Sequence, residues 1–226
     1  VSAELVALSG GEVDPPRLSG LASLAATLMT QGTRHHSAPE LAAAAEALGG
    51  TLDSGAGWNG ALVSITVTTP KLDAALALVA EVAREPVFAP EEIDRVRTQS
   101  LDELKVAYAN PGTLASLVAE RLAYGAGAYG HPLGGTPESL PRITRDDLVA
   151  VHRRTFRPDN AVLIFTGDIG LDGGLALARR HFGSWPVPSD PPPAVPRPTG
   201  ATSGPPVAIV DMPNAGQAAV VVASAL

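Results

Sequence analysis

A transition metal in this chain would have to be held by its five histidines and its carboxylates, because the 226 residues contain no cysteine. A disulfide framework, a thiolate zinc knuckle and an iron–sulfur cluster are thereby excluded. His35-His36 is the one adjacent pair, but neighbouring side chains on a helix or strand diverge, so the pair reads as part of a solvated loop. His131 stands among glycines in Tyr129-Gly130-His131-Pro132-Leu133-Gly134 and reads as a turn residue bonded locally, with substrate contact as the other option. His152, with Arg153 and Arg154, and Arg179-Arg180-His181 fall in the last turns of two expected helices, where cations meet the negative end of the helix dipole.

The other reactive residue types are as plain. Glu81, Glu85, Glu91, Glu92, Asp94, Asp102 and Glu103 are spaced as solvated helix faces with arginines nearby, and no carboxylate pair is isolated in an apolar context for acid–base work. There is no Gly-x-Ser-x-Gly elbow, and neither the dinucleotide nor the phosphate-loop glycine pattern is present. A formal net charge of −7 argues against a phosphate-binding face. Fourteen of the 16 basic residues are Arg, in a chain rich in Ala, Gly and Pro, which is compositional bias and not a functional signal.

The elements that would position any site follow from periodicity. Val1–Ser9 is strand-like, and the Gly- and Pro-containing stretch after it is a loop. Leu21, Leu24 and Leu28 mark one helical face, with Ser19 as expected N-cap and Gly32 as stop. Ser37 and Glu40 form a capping box for an Ala-rich helix that Gly49-Gly50 ends. Trp58-Asn59-Gly60 separates TLDSGAG from the alternating Val63, Ile65 and Val67, a hairpin with one buried face. Helices are expected over 70–84, 90–108, 113–124 and about 144–155, then a continuous apolar strand, AVLIFTG, and a helix over about 172–182. With 45% apolar residues the chain can build a core, and no window has the roughly 18 apolar residues of a membrane span.

Nine of the 21 prolines fall within residues 186–206, which read as a semi-rigid linker. The expected organisation is a domain over 1–185, the linker over 186–206, and over 207–226 (VAIVDMP and QAAVVVASAL) the first strands of a following, truncated domain. The chain reads as a segment of something longer.

Taken in order, these pieces resemble the insulinase or pitrilysin-type zinc peptidases, the inverzincins, which include the mitochondrial processing peptidases. The resemblance rests on Gly20-Leu21-Ala22-Ser23-Leu24-Ala25-Ala26-Thr27-Leu28-Met29-Thr30-Gln31-Gly32-Thr33, the GGTLDSGAG hairpin and the Leu76-to-Phe88 helix with its exit. It continues through Glu92-Ile93-Asp94-Arg95-Val96-Arg97, His131-Pro132-Leu133-Gly134, Phe156-Arg157-Pro158-Asp159-Asn160 and Thr166-Gly167-Asp168. It implies an α+β fold of two layers, a largely antiparallel sheet covered by helices.

Active members carry His-x-x-Glu-His on the first helix: two imidazoles one turn apart bind zinc, and the Glu is the general base. By resemblance those positions here are Ser23, Ala26 and Thr27, so two ligands and the base are absent together. The family's third ligand, a Glu roughly 75 residues downstream, is matched by Glu103, which alone cannot hold a catalytic zinc. The resemblance therefore implies a proteolytically inactive domain without a metal of its own. Its expected partners are a catalytic domain or subunit carrying the zinc, with which it encloses a substrate chamber, and a peptide substrate. Neither nucleic acid nor a membrane span is expected, and the expected compartment is periplasmic or otherwise exported. Two other readings stand beside it. One is an active metalloendopeptidase with noncanonical ligands from His131, Glu103 and the His35-His36 pair; the other is a freestanding peptide-binding scaffold.

Overall fold

The computed structural model describes residues 1–194, 207–213 and 215–224. Four strands form one antiparallel sheet: β1 (Ser2–Ala7), β2 (Leu52–Ala56), β3 (Ala61–Thr66) and β4 (Ala161–Thr166), in the order β2-β3-β1-β4. Their registers, Leu5↔Val63, Leu5↔Leu163 and Ser54↔Val63, decide which side chains share a face. Ala3, Leu5 and Ala7 of β1 and Ala61, Val63 and Ile65 of β3 point to one side and are at most 3% exposed. Helices cover that side alone.

Of these helices, α1 (Leu21–Met29) and α3 (Leu72–Arg84) lie nearest the sheet, and α2 (Ala38–Ala47) connects α1 to β2. In α3 the residues Leu72, Ala75, Leu76, Val79, Val82 and Ala83 are all buried, the i, i+3, i+4, i+7 spacing that the sequence displays. Each fully buried Leu or Val contributes about 1.5–3 kcal/mol of transfer free energy, so this stripe is a main source of cohesion. The outer helices are α4 (Pro90–Ala109), α5 (Pro111–Tyr124), α6 (Arg145–Thr155) and α7 (Leu171–Phe182). In α4 only Ile93 and Val96 are buried, so this 20-residue helix leaves the core after its first two turns.

The two capping boxes form as expected: Ser37 N–H donates to Glu40 Oε2 at 2.8 Å, and Thr144 N–H to Asp147 Oδ2 at 2.9 Å. The Asn59-Gly60 hairpin closes through Gly57 N–H to Gly60 O at 2.8 Å. The continuous apolar run AVLIFTG forms β4 as expected; it is an edge strand, with Val162 and Ile164 exposed on the face opposite the helices. Residues 207–213 and 215–224, read as strands, belong to no strand and are almost wholly exposed; no described neighbour completes a ladder for them. Of the linker stretch, residues 195–206 lie outside the described residues, as do 214, 225 and 226.

Candidate functional site

The helix expected to carry the chemistry, α1, is held by a remote carboxylate. Asp14 Oδ2 accepts from Gly20 N–H and Oδ1 from Ala22 N–H, both at 3.0 Å. It occupies the place an N-cap side chain normally takes, satisfying donors that the first helical turn leaves free. Ser19, the expected cap, instead donates from Oγ to Pro132 O at 2.9 Å, because the N-cap residue is Gly20 with φ of 90°. A Cβ there would stand 2.7 Å from Gly135 Cα, so glycine is required by conformation and by contact. Burial pushes the Asp14 carboxyl up to about 7 against the helix N–H groups that lower it, and the nearby Glu12 adds to the rise. Glu12 is itself raised by burial; its Oε2 accepts from Gly10 N–H at 2.8 Å, and its Oε1 is buried without a hydrogen-bond partner.

On α1, Ser23 is half-buried and Thr27 exposed, with Thr27 Oγ1 donating back to Ser23 O at 3.0 Å. Ala26 is 1% exposed. With Met29, Ala61, His152, Thr155 and Phe156 it lines a cavity of about 10 Å³, the space of a single water probe. Ser54 of β2 donates from Oγ to Ala26 O at 2.7 Å and so ties the edge strand to this helix. Glu103 lies on the exposed face of α4, where its Oε1 accepts from Gln99 Nε2 at 2.9 Å. An open groove of about 620 Å³ follows that face past Arg95, Gln99 and Glu103. Arg95 joins the two helices, donating from Nη2 to Gln31 Oε1 at 2.7 Å. Hydroxyls, an amide pair and one carboxylate thus line this region. Such oxygens and a methyl group do not form the nitrogen-rich, three-ligand set of a catalytic zinc.

The histidines go to separate places. His35 Nε2 pairs with Glu85 Oε2 at 3.2 Å and His36 Nδ1 with Glu81 Oε1 at 2.9 Å. Glu81 of α3 and Glu85 at its C-cap therefore face imidazoles, and Glu81 also accepts from Thr33 Oγ1, where arginines were expected. His131 is 9% exposed and packs edge-on against Trp58, with Nδ1 3.4 Å from Pro132 O and Nε2 buried without a partner; burial lowers its basicity. His152 departs furthest from expectation. It is buried, bonds through Nε2 to Ala83 O at 3.0 Å and is pushed down to about 4 by burial, so it is neutral and not a cation at a helix end. Arg180 Nη1 and His181 Nε2 reach across to Asp73 in the first turn of α3, at 2.5 and 2.7 Å. Among the described residues no three His, Asp or Glu side chains are grouped to hold a metal, and His131, Glu103 and the His35-His36 pair do not converge. No helix among them is long and apolar enough to cross a membrane.

Sequence reasoning missed Asp14, Glu12 and Arg157 as structural centres. Asp14 lies six residues before the residue it caps, outside any local capping pattern.

Comparison with known proteins follows the same outline. The family model described as Insulinase (Peptidase family M16) matches residues 1–136, and that described as Peptidase M16 inactive domain matches residues 142–224. An uncharacterized zinc protease of Mycobacterium bovis is 29% identical over 198 residues, 87% of this chain and 45% of the relative. The crystal structure of a peptidase M16 inactive domain from Pseudomonas fluorescens superposes with a TM-score of 0.80 at 28% identity, over 87% of this chain and 47% of that one. The periplasmic protease PqqL of Escherichia coli has a TM-score of 0.78 at 17% identity, over 89% of this chain and 23% of that one, and shares the fold. The chain spans about half the length of the curated relatives it matches.

Proposed function

The chain belongs to the insulinase family of peptidases, M16, and on that premise we propose that it is a proteolytically inactive domain that works beside a catalytic half. The observation that carries the reading is the first helix, where Ser23, Ala26 and Thr27 stand at the positions that resemble the family's two zinc imidazoles and its base. Ala26 supports it most directly. A general base must reach a metal-bound water, and this position is 1% exposed and faces a cavity of about 10 Å³ that it shares with His152 and Thr155 of α6.

In this reading residues 1–185 form the domain, 186–206 the connection and 207–226 the start of a further family domain. The domain contributes to the wall of a chamber whose zinc is held by the partner. A peptide is accepted in extended form along β2, an edge strand whose outer backbone groups have no neighbouring strand among the described residues and which Ser54 holds against α1. Backbone pairing of this kind needs no particular side chain on the receiving strand. The exported location of the Escherichia coli relative supports the same compartment here.

Metal analysis of the purified chain, with hydrolysis of an unfolded peptide followed in parallel, tests the reading. No bound zinc and no cleavage are expected, and both appear only when a catalytic half is added. Stoichiometric zinc in the chain alone would overturn it.

A further inference from the structure

Arg157 is 1% exposed, and its guanidinium is satisfied by two parts of the chain that are far apart in sequence. Asp159 takes one fork, Nε donating to Oδ1 at 2.6 Å and Nη2 to Oδ2 at 2.8 Å. The other donations go to the start of the proline-rich stretch: Nη2 to Asp190 O at 2.5 Å, Nη1 to Asp190 Oδ2 at 3.3 Å and Nη1 to Pro191 O at 3.4 Å. A buried guanidinium needs its donors paired, and Asp159 alone leaves part of them unmet. The backbone of residues 190–191 completes the set. Pro193, two residues on, is buried as well, although its neighbours Pro192 and Ala194 are exposed.

The position of this contact in the fold is equally defined. Arg157 has extended backbone and stands just before β4, and Asn160 beside it bonds to the segment that leaves β1: Leu8 N–H donates to Asn160 O at 2.8 Å and Asn160 Nδ2 to Ser9 Oγ at 3.0 Å. The hairpin turn lies at the same end, with Gly11 N–H on Gly57 O at 2.9 Å. The chain that left the core at Trp185 is thus brought back to one end of the sheet and tied there.

We propose that Arg157 is an anchor for the connection, fixing through Asp190 and Pro191 the point and direction from which the later residues depart, and so positioning the unit that follows. The last clause rests on the proposed domain organisation; the anchor itself does not. Proline-rich chain is stiff, with about 3.1 Å of rise per residue, so a direction set at residue 191 is carried through Pro192 and Pro193. An acidic residue at 190 and a buried Arg at 157 therefore act together, and a flexible attachment would transmit nothing.

The absence of cysteine allows clean spin labelling of the whole chain through Asp172→Cys on α7 and Ala194→Cys, both exposed. Electron–electron distance measurement is expected to give one narrow distribution. Asp190→Arg places a like charge against the guanidinium at a position whose side chain is 70% exposed, so the fold is kept. It is expected to broaden the distribution about twofold, as release of a stiff spacer from its base requires. Arg157→Gln is expected to do the same, and if it fails to fold, the Asp190→Arg result decides. An unchanged narrow distribution in Asp190→Arg, whatever its thermal unfolding, would overturn the anchor. Zinc or peptidase activity in the chain, which would defeat the proposed function, leaves this result untouched.

Discussion

Replacing Asp14 by Asn removes a charge from beneath α1 while keeping the side chain's shape. The wild-type carboxyl moves from an ordinary 3.8 to about 7 in the fold, because burial outweighs the helix N–H groups that favour its charged form. Between those values the native state holds about one proton more than the unfolded state. The unfolding free energy then falls by about 1.4 kcal/mol per pH unit as pH rises, about 4 kcal/mol in all. The stabilising contribution is complete below about pH 4 and gone above about pH 7. His152 acts in the opposite sense: its basicity drops from 6.5 to about 4, so the fold loses about 3 kcal/mol as pH falls through that interval. The two contributions nearly cancel in wild type from about pH 4 to about pH 6.5, and a flat profile there would conceal both. Urea unfolding of wild type and Asp14→Asn at half-unit steps from about pH 4 to about pH 8 separates them, because the difference between the two curves contains Asp14 with its coupling to Glu12 and cancels His152. Wild type is expected to lose about 4 kcal/mol relative to the variant across the range. Parallel curves would refute the argument and mean that the helix N–H groups keep the carboxylate ionised.

His152→Gln should abolish the acid-side loss of about 3 kcal/mol and leave Asp14 unopposed, read as a thermal-unfolding midpoint that rises as pH falls from about 6.5 to about 4, where that of wild type is nearly flat. Gly20→Ala should cost about 2 kcal/mol in urea unfolding, since the new methyl group meets Gly135 and the φ of 90° disfavours any side chain. The double variant Ser23→His, Thr27→His supplies two imidazoles one turn apart, which with Glu103 at the position that resembles the third ligand should bind about one zinc by calorimetry. It should remain without peptidase activity, and cleavage by it would contradict the need for a base at Ala26. If it binds no zinc, the pairing of Glu103 with α1 is wrong.

Much of the scaffold was legible because it depends on short-range chemistry. Ser37 and Thr144 cap helices through a Glu or Asp three residues on, Asn59-Gly60 closes a hairpin, and Leu72, Leu76 and Val79 repeat at the helical period. What was not legible depends on contacts distant in sequence. His152 looks like a cation at a helix end until Ala83 O and the Phe88 and Phe156 rings are packed around it. Asp14 and Arg157 look like loop residues until their partners at Gly20 and Ala22, and at Asp190, are in place. The apolar run of β4 carries no mark of an edge, because edge or centre is decided by which strands lie alongside. At the candidate site, residue identities at 23, 26 and 27 were readable by resemblance, but only the packing of α6 on α1 shows that Ala26 is buried.

That packing bears on how such a domain evolves. On the proposed reading, regaining catalysis would take more than restoring three side chains on α1, since position 26 is 1% exposed and a glutamate there would have to be accommodated in a cavity of about 10 Å³. The small residues Ala22, Ala25 and Ala26 let the two helices close up. Once closed, that contact works as a ratchet: each further step that improves the helix packing makes a return to chemistry require more simultaneous changes. Descendants of such a domain would then be expected to diversify as scaffolds, with change concentrated on the exposed face of α4 and along β2.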